Sequence, residues 1–380
     1  MTIDLGESLE TFREDVRTWL DANEPDHKLN GDELKTWAKK LGDQGYLCPA
    51  WPVEYGGGGL SGLEISILND EFRRTNTPRI QRGMGESLVG PSIILHGTEE
   101  QKAYFLPRIL SGEDRYCQGF SEPDAGSDLA SLKTRGEVHD GEVIVTGQKV
   151  WTSGFAAANM IFCLCRTDPD APKHQGISYV LLPIKDNGIE FRPIKQMSGG
   201  SHFAETFIEG AHAPLFNVIG GLNNGWKATM TTLGNERGGG ASSQYLPWEA
   251  AWRRLVSDLE SSGKTSDPNV RQQIAWCYTQ VHLMRVNGMR TVSAISRGQD
   301  PGPSASINKM FWSEYSQAFT EIATTLLGAE AIAAEEPNTW TQQLLGNRSH
   351  TIWGGTAEVQ RNIVGERILG LPKDPEVPDR

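Results

Sequence analysis

Apolar residues recur every three or four positions at the start of the chain. Leu9, Phe12, Val16, Trp19 and Leu20 fall on one face, which predicts an amphipathic helix over residues 7–21. A second helix is predicted from Asp32 to Gln44, where Gly45 stops it. Leu63 to Arg74 and Ser92 to Gly97 read as further helices. Thr98 is then an N-cap with Glu99 and Glu100 in the first turn of a helix that continues as YFLPRILSGE. From about Arg115 to Gly220 the helical period is absent and Gly, Thr, Val and Ile are frequent. Strands are predicted near 133–138, 142–150, 159–166, 177–184, 189–194 and 204–208. Asp140-Gly141 marks a hairpin, and Gly147 punctuates two β-rich runs. After Gly220 helices return, at 226–262, 268–298, 304–327, 338–345 and 357–369. The chain therefore divides into a helical domain over 1–114, a β-domain over 115–220 and a helical domain over 221–380. The fold class is α+β.

Composition narrows the function. The chain has 380 residues, 38% hydrophobic and 22% charged, which is ordinary for a globular protein with more than one core. A net charge of −12 argues against nucleic-acid and anionic-membrane binding, so an anionic ligand needs local cations or backbone N–H groups. The segment MTIDLGESLE is acidic and has no apolar core, so no signal peptide is expected, and no run is long enough for a membrane span. Five scattered cysteines fit a reduced cytoplasm, the expected location. Cys163 and Cys165 alternate on one strand face and read as core residues; no metal site is expected. The tetraglycine in PAWPVEYGGGG, residues 49–59, lacks a following G-K-S/T, so it reads as a connector rather than a phosphate cradle.

Two stretches carry candidate chemistry. Tyr116 to Gly154 contains the turn-forming run S-E-P-D-A-G-S-D, with Gly126 and Ser127 near its end. Glycine there lets backbone approach a ligand, and serine adds a hydroxyl donor. Trp151 followed by Thr152 and Ser153 sets a flat ring beside two hydroxyls, a set suited to a planar heterocycle. Taken piece by piece, the same residues also describe a surface hairpin with an edge tryptophan. Near the C-terminus, Gly354 and Gly355 precede Thr356, an N-cap with Glu358 in the first turn. That helix start favours an anion or an electron-rich ring edge. The triple glycine 238–240, costly in a helix, suggests room for something large or a local break.

The ordered set Gln118–Asp128 and Gly147–Ser153, with W-P-x-x-Y-G-G, G-T-E-E-Q-K-x-x-x-L-P and the closing I-W-G-G-T, resembles the acyl-CoA dehydrogenase family over most of the chain. The resemblance implies an N-terminal α-helical domain, a middle β-barrel-like domain and a C-terminal four-helix-bundle domain. It implies FAD as cofactor, with Gln118, Phe120 and Ser121 contacting the isoalloxazine. Gly126 and Ser127 meet the pyrophosphate and the acyl-CoA, Trp151 flanks the ring, and Ser153 bonds near flavin N5. Thr356 joins the cofactor-binding set.

Many members carry a catalytic glutamate where this chain has Gly354. A minority place it before an arginine on another helix, which Glu236-Arg237 matches. By that resemblance Glu236 is the base, the Gly354 N–H binds the thioester carbonyl, and Arg237 binds CoA. On spacing alone, Glu236 also reads as a surface carboxylate paired with a cation. Two departures accompany this. The family's Gln-Gly-Gly-x-Gly region is Thr325-Leu326-Leu327-Gly328-Ala329-Glu330-Ala331 here, and around Asp267–Ile274 Arg271 is present without a Phe-Gly. These positions normally grip FAD across subunits. The expected activity is FAD-dependent α,β-dehydrogenation of a bulky or branched acyl-CoA to the trans-2-enoyl-CoA. Electrons pass to an electron-transferring flavoprotein, in a homotetramer or a mixed tetramer. The rival readings are a non-catalytic subunit of a mixed α2β2 enzyme, or a flavin oxidase or monooxygenase on the same fold.

Overall fold

The computed structural model describes residues 7–25, 27–75, 77–238, 244–297, 304–333 and 339–373. Five helices come first: α1 (Glu7–Asn23), α2 (Gly31–Asp43), α3 (Gly62–Arg74), α4 (Gly90–His96) and α5 (Glu99–Ser111). The start of α5 is closed by a reciprocal cap. Gln101 N donates to Thr98 Oγ1 at 3.2 Å, and Thr98 N donates to Gln101 Oε1 at 2.9 Å. A π-helical turn, Gly85–Val89, runs directly into α4. The connector glycines are there for packing. A Cβ on Gly57 would lie 2.1 Å from the Trp51 carbonyl oxygen, and one on Gly58 2.5 Å from that of Gly45.

Eight strands follow: β1 (Tyr116–Gly119), β2 (Arg135–His139), β3 (Glu142–Ser153), β4 (Met160–Arg166), β5 (Ile177–Pro183), β6 (Ile189–Pro193), β7 (Phe203–Pro214) and β8 (Val218–Ile219). They form one sheet in the order β6-β7-β3-β2-β4-β5-β8, with β1 pairing parallel to β4. Val145 of β3, Cys163 and Cys165 of β4, Val180 of β5 and Ile208 of β7 share one buried interior, which gives the sheet its barrel-like character. Asp140 and Gly141 both have positive φ, as the tight β2–β3 hairpin requires.

As the strand expected over 142–150 implies, β3 continues through Gly147. A Cβ there would lie 2.8 Å from Thr134 Cα, so glycine allows a close approach inside a continuous strand. Two register shifts interrupt the β3–β7 ladder. One places Gly210 (φ +68°) in a bulge of β7, beyond which the pairing with β3 resumes to Pro214. The other places Trp151 in a bulge of β3.

Among the described residues, six more helices follow α6 (Gly225–Gly238): α7 (Leu246–Ser261), α8 (Pro268–Ser296), α9 (Ser304–Leu327), α10 (Ala329–Ala333), α11 (Trp340–Gly346) and α12 (Ala357–Arg367). The span expected as a single helix over 226–262 is thus two helices, and 239–243 between them lie outside the described residues. One compact unit takes residues up to Ile194 together with 201–236, so α6 packs with the N-terminal helices and the sheet. The other takes 195–200 and the residues from Arg237 on. Its core is Leu255 and Leu259 of α7, Cys277 and Val281 of α8, and Trp312, Tyr315 and Phe319 of α9, a helical bundle. No helix among the described residues is long and apolar enough to cross a membrane.

Candidate active site

In the first unit the candidate residues lie on the end of β1, the loop after it and the end of β3. Gln118 is half-buried in β1 and Ser121 half-buried just beyond it. Phe120 faces the other way. Its ring is 4% exposed and packs edge-on against Phe162 and Tyr179, so it supports the segment from inside the core. Glu122 and Ala125 exchange backbone hydrogen bonds at 2.9 and 3.1 Å, which closes a tight turn and leaves Gly126 and Ser127 exposed. A Cβ on Gly126 would meet nothing within 4 Å, so this glycine is not required by packing. Asp128 accepts from Lys173 Nζ at 2.7 Å and from Ser131 Oγ, and these bonds hold its carboxyl below the usual range.

What holds this loop escaped the sequence reading. Lys149 of β3 is wholly buried. Its ammonium donates to Glu122 Oε1 at 2.8 Å and to the Phe120 carbonyl at 3.1 Å. Glu122 also accepts from the N–H groups of Lys133 and Thr134, at 2.6 and 2.8 Å. Burial alone would raise this carboxyl's pKa, but Lys149 and the N–H donors outweigh it, and Glu122 sits below its ordinary value. The available signal was a lysine inside a strand otherwise rich in Val and Ile, which requires a buried carboxylate partner.

Two residues further on, the bulge turns Trp151 outward. Its φ is +61°, rare for a bulky residue, and its indole is 57% exposed and meets the Phe203 ring edge-on. Thr152 stays buried and accepts from Thr206 Oγ1 at 2.7 Å. Ser153 is half-buried, and its hydroxyl makes only a 3.5 Å contact with the Trp151 carbonyl. A Cβ on Gly154 would lie 4.0 Å from Met84 Cε, next to the π-helical turn that the sequence reading left unassigned. Strained backbone and π-turns recur at functional sites. Glu236 lies near the end of α6 and Arg237 directly after it; the backbone of both is helical, and their side chains lie outside the described residues.

In the second unit Gly354 (φ +67°) and Gly355 (φ +86°) make two consecutive left-handed steps into α12. Thr356 caps the helix, accepting from Val359 N at 3.1 Å. Gln360 is wholly buried and its amide donates to the carbonyls of Gly354 (3.2 Å) and Gly355 (3.4 Å) from below. Among the described residues no acceptor faces the N–H of Gly354, Gly355 or Thr356. The loop before this turn is gripped by α9. Lys309 Nζ donates to the His350 carbonyl at 2.5 Å, Gln317 Nε2 to Thr351 Oγ1 at 2.9 Å, and His350 Nδ1 lies 2.9 Å from Ser316 Oγ. The His350 ring sits edge-on among Trp312 and Trp353. Burial first, and then Lys309, push its pKa down to about 4. Lys309, Ser313, Ser316 and Thr320 are all buried, a polar stripe at helical spacing that the sequence displays.

The two departures have structural counterparts in this unit. Lys264 Nζ donates to the carbonyls of Leu326 and Leu327 at 2.9 and 2.8 Å, closing the end of α9 before Gly328. Arg271 folds onto its own chain, donating to Thr265 O at 3.0 Å and Ser266 O at 2.7 Å.

Three family models match in chain order: acyl-CoA dehydrogenase N-terminal domain over residues 6–113, middle domain over 117–209 and C-terminal domain over 223–369. The chain is 35% identical to acyl-CoA dehydrogenase IpdE1 of Mycolicibacterium smegmatis, over 96% of this chain and 98% of that protein. It is 34% identical to IpdE1 of Mycobacterium tuberculosis, over 97% and 99%. Among solved structures it is similar to the Tcur3481-Tcur3483 steroid ACAD, with TM-score 0.82 and 32% identity over 98% of this chain and 100% of that one. It is also similar to the ChsE4-ChsE5 complex from Mycobacterium tuberculosis, with TM-score 0.80 and 28% identity over 99% and 100%. The chain belongs to the acyl-CoA dehydrogenase family of flavoprotein oxidoreductases.

Proposed function

We propose that this chain catalyses FAD-dependent α,β-dehydrogenation of an acyl-CoA to the trans-2-enoyl-CoA, with Glu236 as the base. The observation that carries this reading is the run of three amides, Gly354 to Thr356, at the N-terminus of α12, which meet no acceptor among the described residues. Such N–H groups suit a thioester oxygen on which negative charge develops, and that stabilisation acidifies the α-carbon. The exposed Trp151 indole, the loosely bonded Ser153 hydroxyl and the clear space at Gly126 fit FAD, a flat ring with a polar edge and a pyrophosphate. FAD, when bound, supplies the two-electron acceptor for the hydride that leaves the β-carbon. Glu236 takes the α-proton; the C–H pair electrons left at the α-carbon form the new double bond as the β-hydride departs. Gln118, Ser121 and Ser153 hold the cofactor, Phe120 supports them from the core, and Ser127 and Arg237 hold the CoA thioester.

The acyl group is bulky, steroid-derived or branched. Gly354 and Gly238–Gly240 remove side-chain volume, and the similarity to a steroid ACAD supports the same class. An electron-transferring flavoprotein is the electron acceptor. A mixed oligomer with a related chain is favoured by Arg271, which is occupied by its own turn rather than extended toward a neighbour, and by the likeness to the ChsE4-ChsE5 complex.

Anaerobic titration of the flavin-loaded protein with a panel of acyl-CoA thioesters tests this. Bleaching of the flavin by bulky thioesters, and its loss in Glu236→Gln, is the expected result. Bleaching at the wild-type rate in Glu236→Gln would reject the base.

A further inference from the structure

α6 carries Glu236, yet its sequence GWKATMTTLGNERG has no continuous apolar stripe. Only Ala228 among its hydrophobic residues is buried, with Trp226 and Leu233 partly so. Apolar packing therefore sets the rotation of this helix only weakly. Polar contacts do it instead. Thr232 Oγ1 is wholly buried, 2.8 Å from Ser92 Oγ of α4 and 3.3 Å from the Tyr179 hydroxyl of β5. Ser92 and Tyr179 are themselves wholly buried, and Ser92 Oγ donates to the Leu88 carbonyl at 3.0 Å. One proton per hydroxyl allows the order Tyr179 to Thr232 to Ser92 to Leu88 O, with every donor used. A second contact, His96 Nε2 to Thr231 Oγ1 at 2.8 Å, joins the same two helices. At its start α6 is pressed onto β5: a Cβ on Gly225 would lie 2.4 Å from Tyr179 N.

Thr232 and Glu236 are four residues apart on one helix, so they lie on one row, a turn apart. We infer that Thr232, held by Ser92 and Tyr179, is a positioning residue for Glu236: the buried hydroxyl chain fixes the rotation of α6 and hence the direction from which Glu236 leaves it. This rests on the reading of Glu236 as base. A misplacement of about 1 Å at a reacting group costs about 100-fold in rate.

The test is the single-turnover rate of flavin reduction in the flavin-loaded protein at saturating acyl-CoA. Thr232→Val keeps the shape and removes the hydroxyl. It is expected to lower the rate constant about 10- to 100-fold, with little change in the half-saturating thioester concentration, and to move the acidic limb of the pH profile. Thr232→Ser, which keeps the hydroxyl, is expected to recover the rate to within about 3-fold, as a hydrogen-bonding role requires. Should Thr232→Val fail to fold or load flavin, Tyr179→Phe removes only the terminal hydroxyl and is read the same way. A wild-type rate and pH profile in the folded variant overturns the inference. Glu236→Gln, run alongside, separates the failures. If it is inactive while Thr232→Val is unaffected, only the positioning role is wrong; if it is active, the base reading falls and takes the inference with it.

Discussion

Lys149 Nζ lies 2.8 Å from Glu122 Oε1, with 0% of the lysine side chain and 7% of the glutamate exposed to solvent. The pair ties β3 to the loop that carries Ser121, Gly126 and Ser127. An intact buried pair contributes little net stability, because desolvation offsets attraction. Removing one partner leaves an uncompensated charge and costs about 3–5 kcal/mol. Lys149→Met is therefore expected to lower the unfolding free energy by that amount. Glu122→Gln leaves the buried Lys149 ammonium without its counter-charge and is expected to cost a similar amount, about 3–5 kcal/mol; its amide can also accept from only one of the Lys133 and Thr134 N–H groups. Urea unfolding of the three proteins measures both. A Lys149→Met midpoint equal to wild type would show that the loop is held by other contacts.

Gly126 and Gly57 make opposite demands on a methyl group. A Cβ on Gly57 would lie 2.1 Å from the Trp51 carbonyl oxygen, in backbone that cannot give way, whereas one on Gly126 would meet nothing. Gly57→Ala is expected to cost about 1–3 kcal/mol or more through forced backbone displacement. Gly126→Ala is expected to leave stability within about 0.5 kcal/mol and to weaken FAD binding, because the methyl enters space proposed for the pyrophosphate. Thermal unfolding of the flavin-free proteins and flavin titration separate the two effects. A Gly126→Ala protein with undiminished FAD affinity would remove this residue from the cofactor site.

Local chemistry was readable in the sequence and long-range pairing was not. The caps at Thr98 and Thr356 and the turn at Asp140-Gly141 depend on a few adjacent residues, so their composition declares them. β1 and β8 have four and two residues, too short to show alternation, and exist because β4 and β5 pair with them. The strand expected near 204–208 runs on past a bulge at Gly210, a choice made by the partner strand β3. The same bulge logic explains Trp151: the ring was identified, but its outward turn follows from the β3–β7 register. The supports of the candidate site, Glu122 with Lys149 and α9 with the 348–351 loop, join residues 27 to 41 positions apart, beyond any local pattern.

His350 makes the second unit acid-sensitive. Its pKa in the fold lies at about 4, against an ordinary value of 6.5. Between these values the unfolded chain binds the proton and the fold does not. Its contribution to stability is thus complete above pH 6.5 and is lost as pH falls toward 4. The loss is about 2–3 kcal/mol over that window. His350→Phe fills the same aromatic surroundings without titrating. Urea unfolding at pH 7, 5.5 and 4.5 is expected to show a shallower fall for the variant; parallel curves would place the titration elsewhere.

Gly355 and Gln360 should be energetically coupled. Gln360 is wholly buried and its Nε2 would lie 2.3 Å from a Cβ on Gly355, whose φ of +86° already disfavours any side chain. Gly355→Ala therefore carries two penalties: backbone strain of about 1–3 kcal/mol, and a collision that pushes Gln360 away from the Gly354 and Gly355 carbonyls. Truncating Gln360 removes the collision and leaves the strain. The double variant Gly355→Ala/Gln360→Ala is thus expected to be more stable than the sum of the single changes allows, by about 0.5–3 kcal/mol. Strict additivity would mean the loop yields without Gln360, and the amides of Gly354 and Gly355 would then be mobile rather than preset for a thioester oxygen.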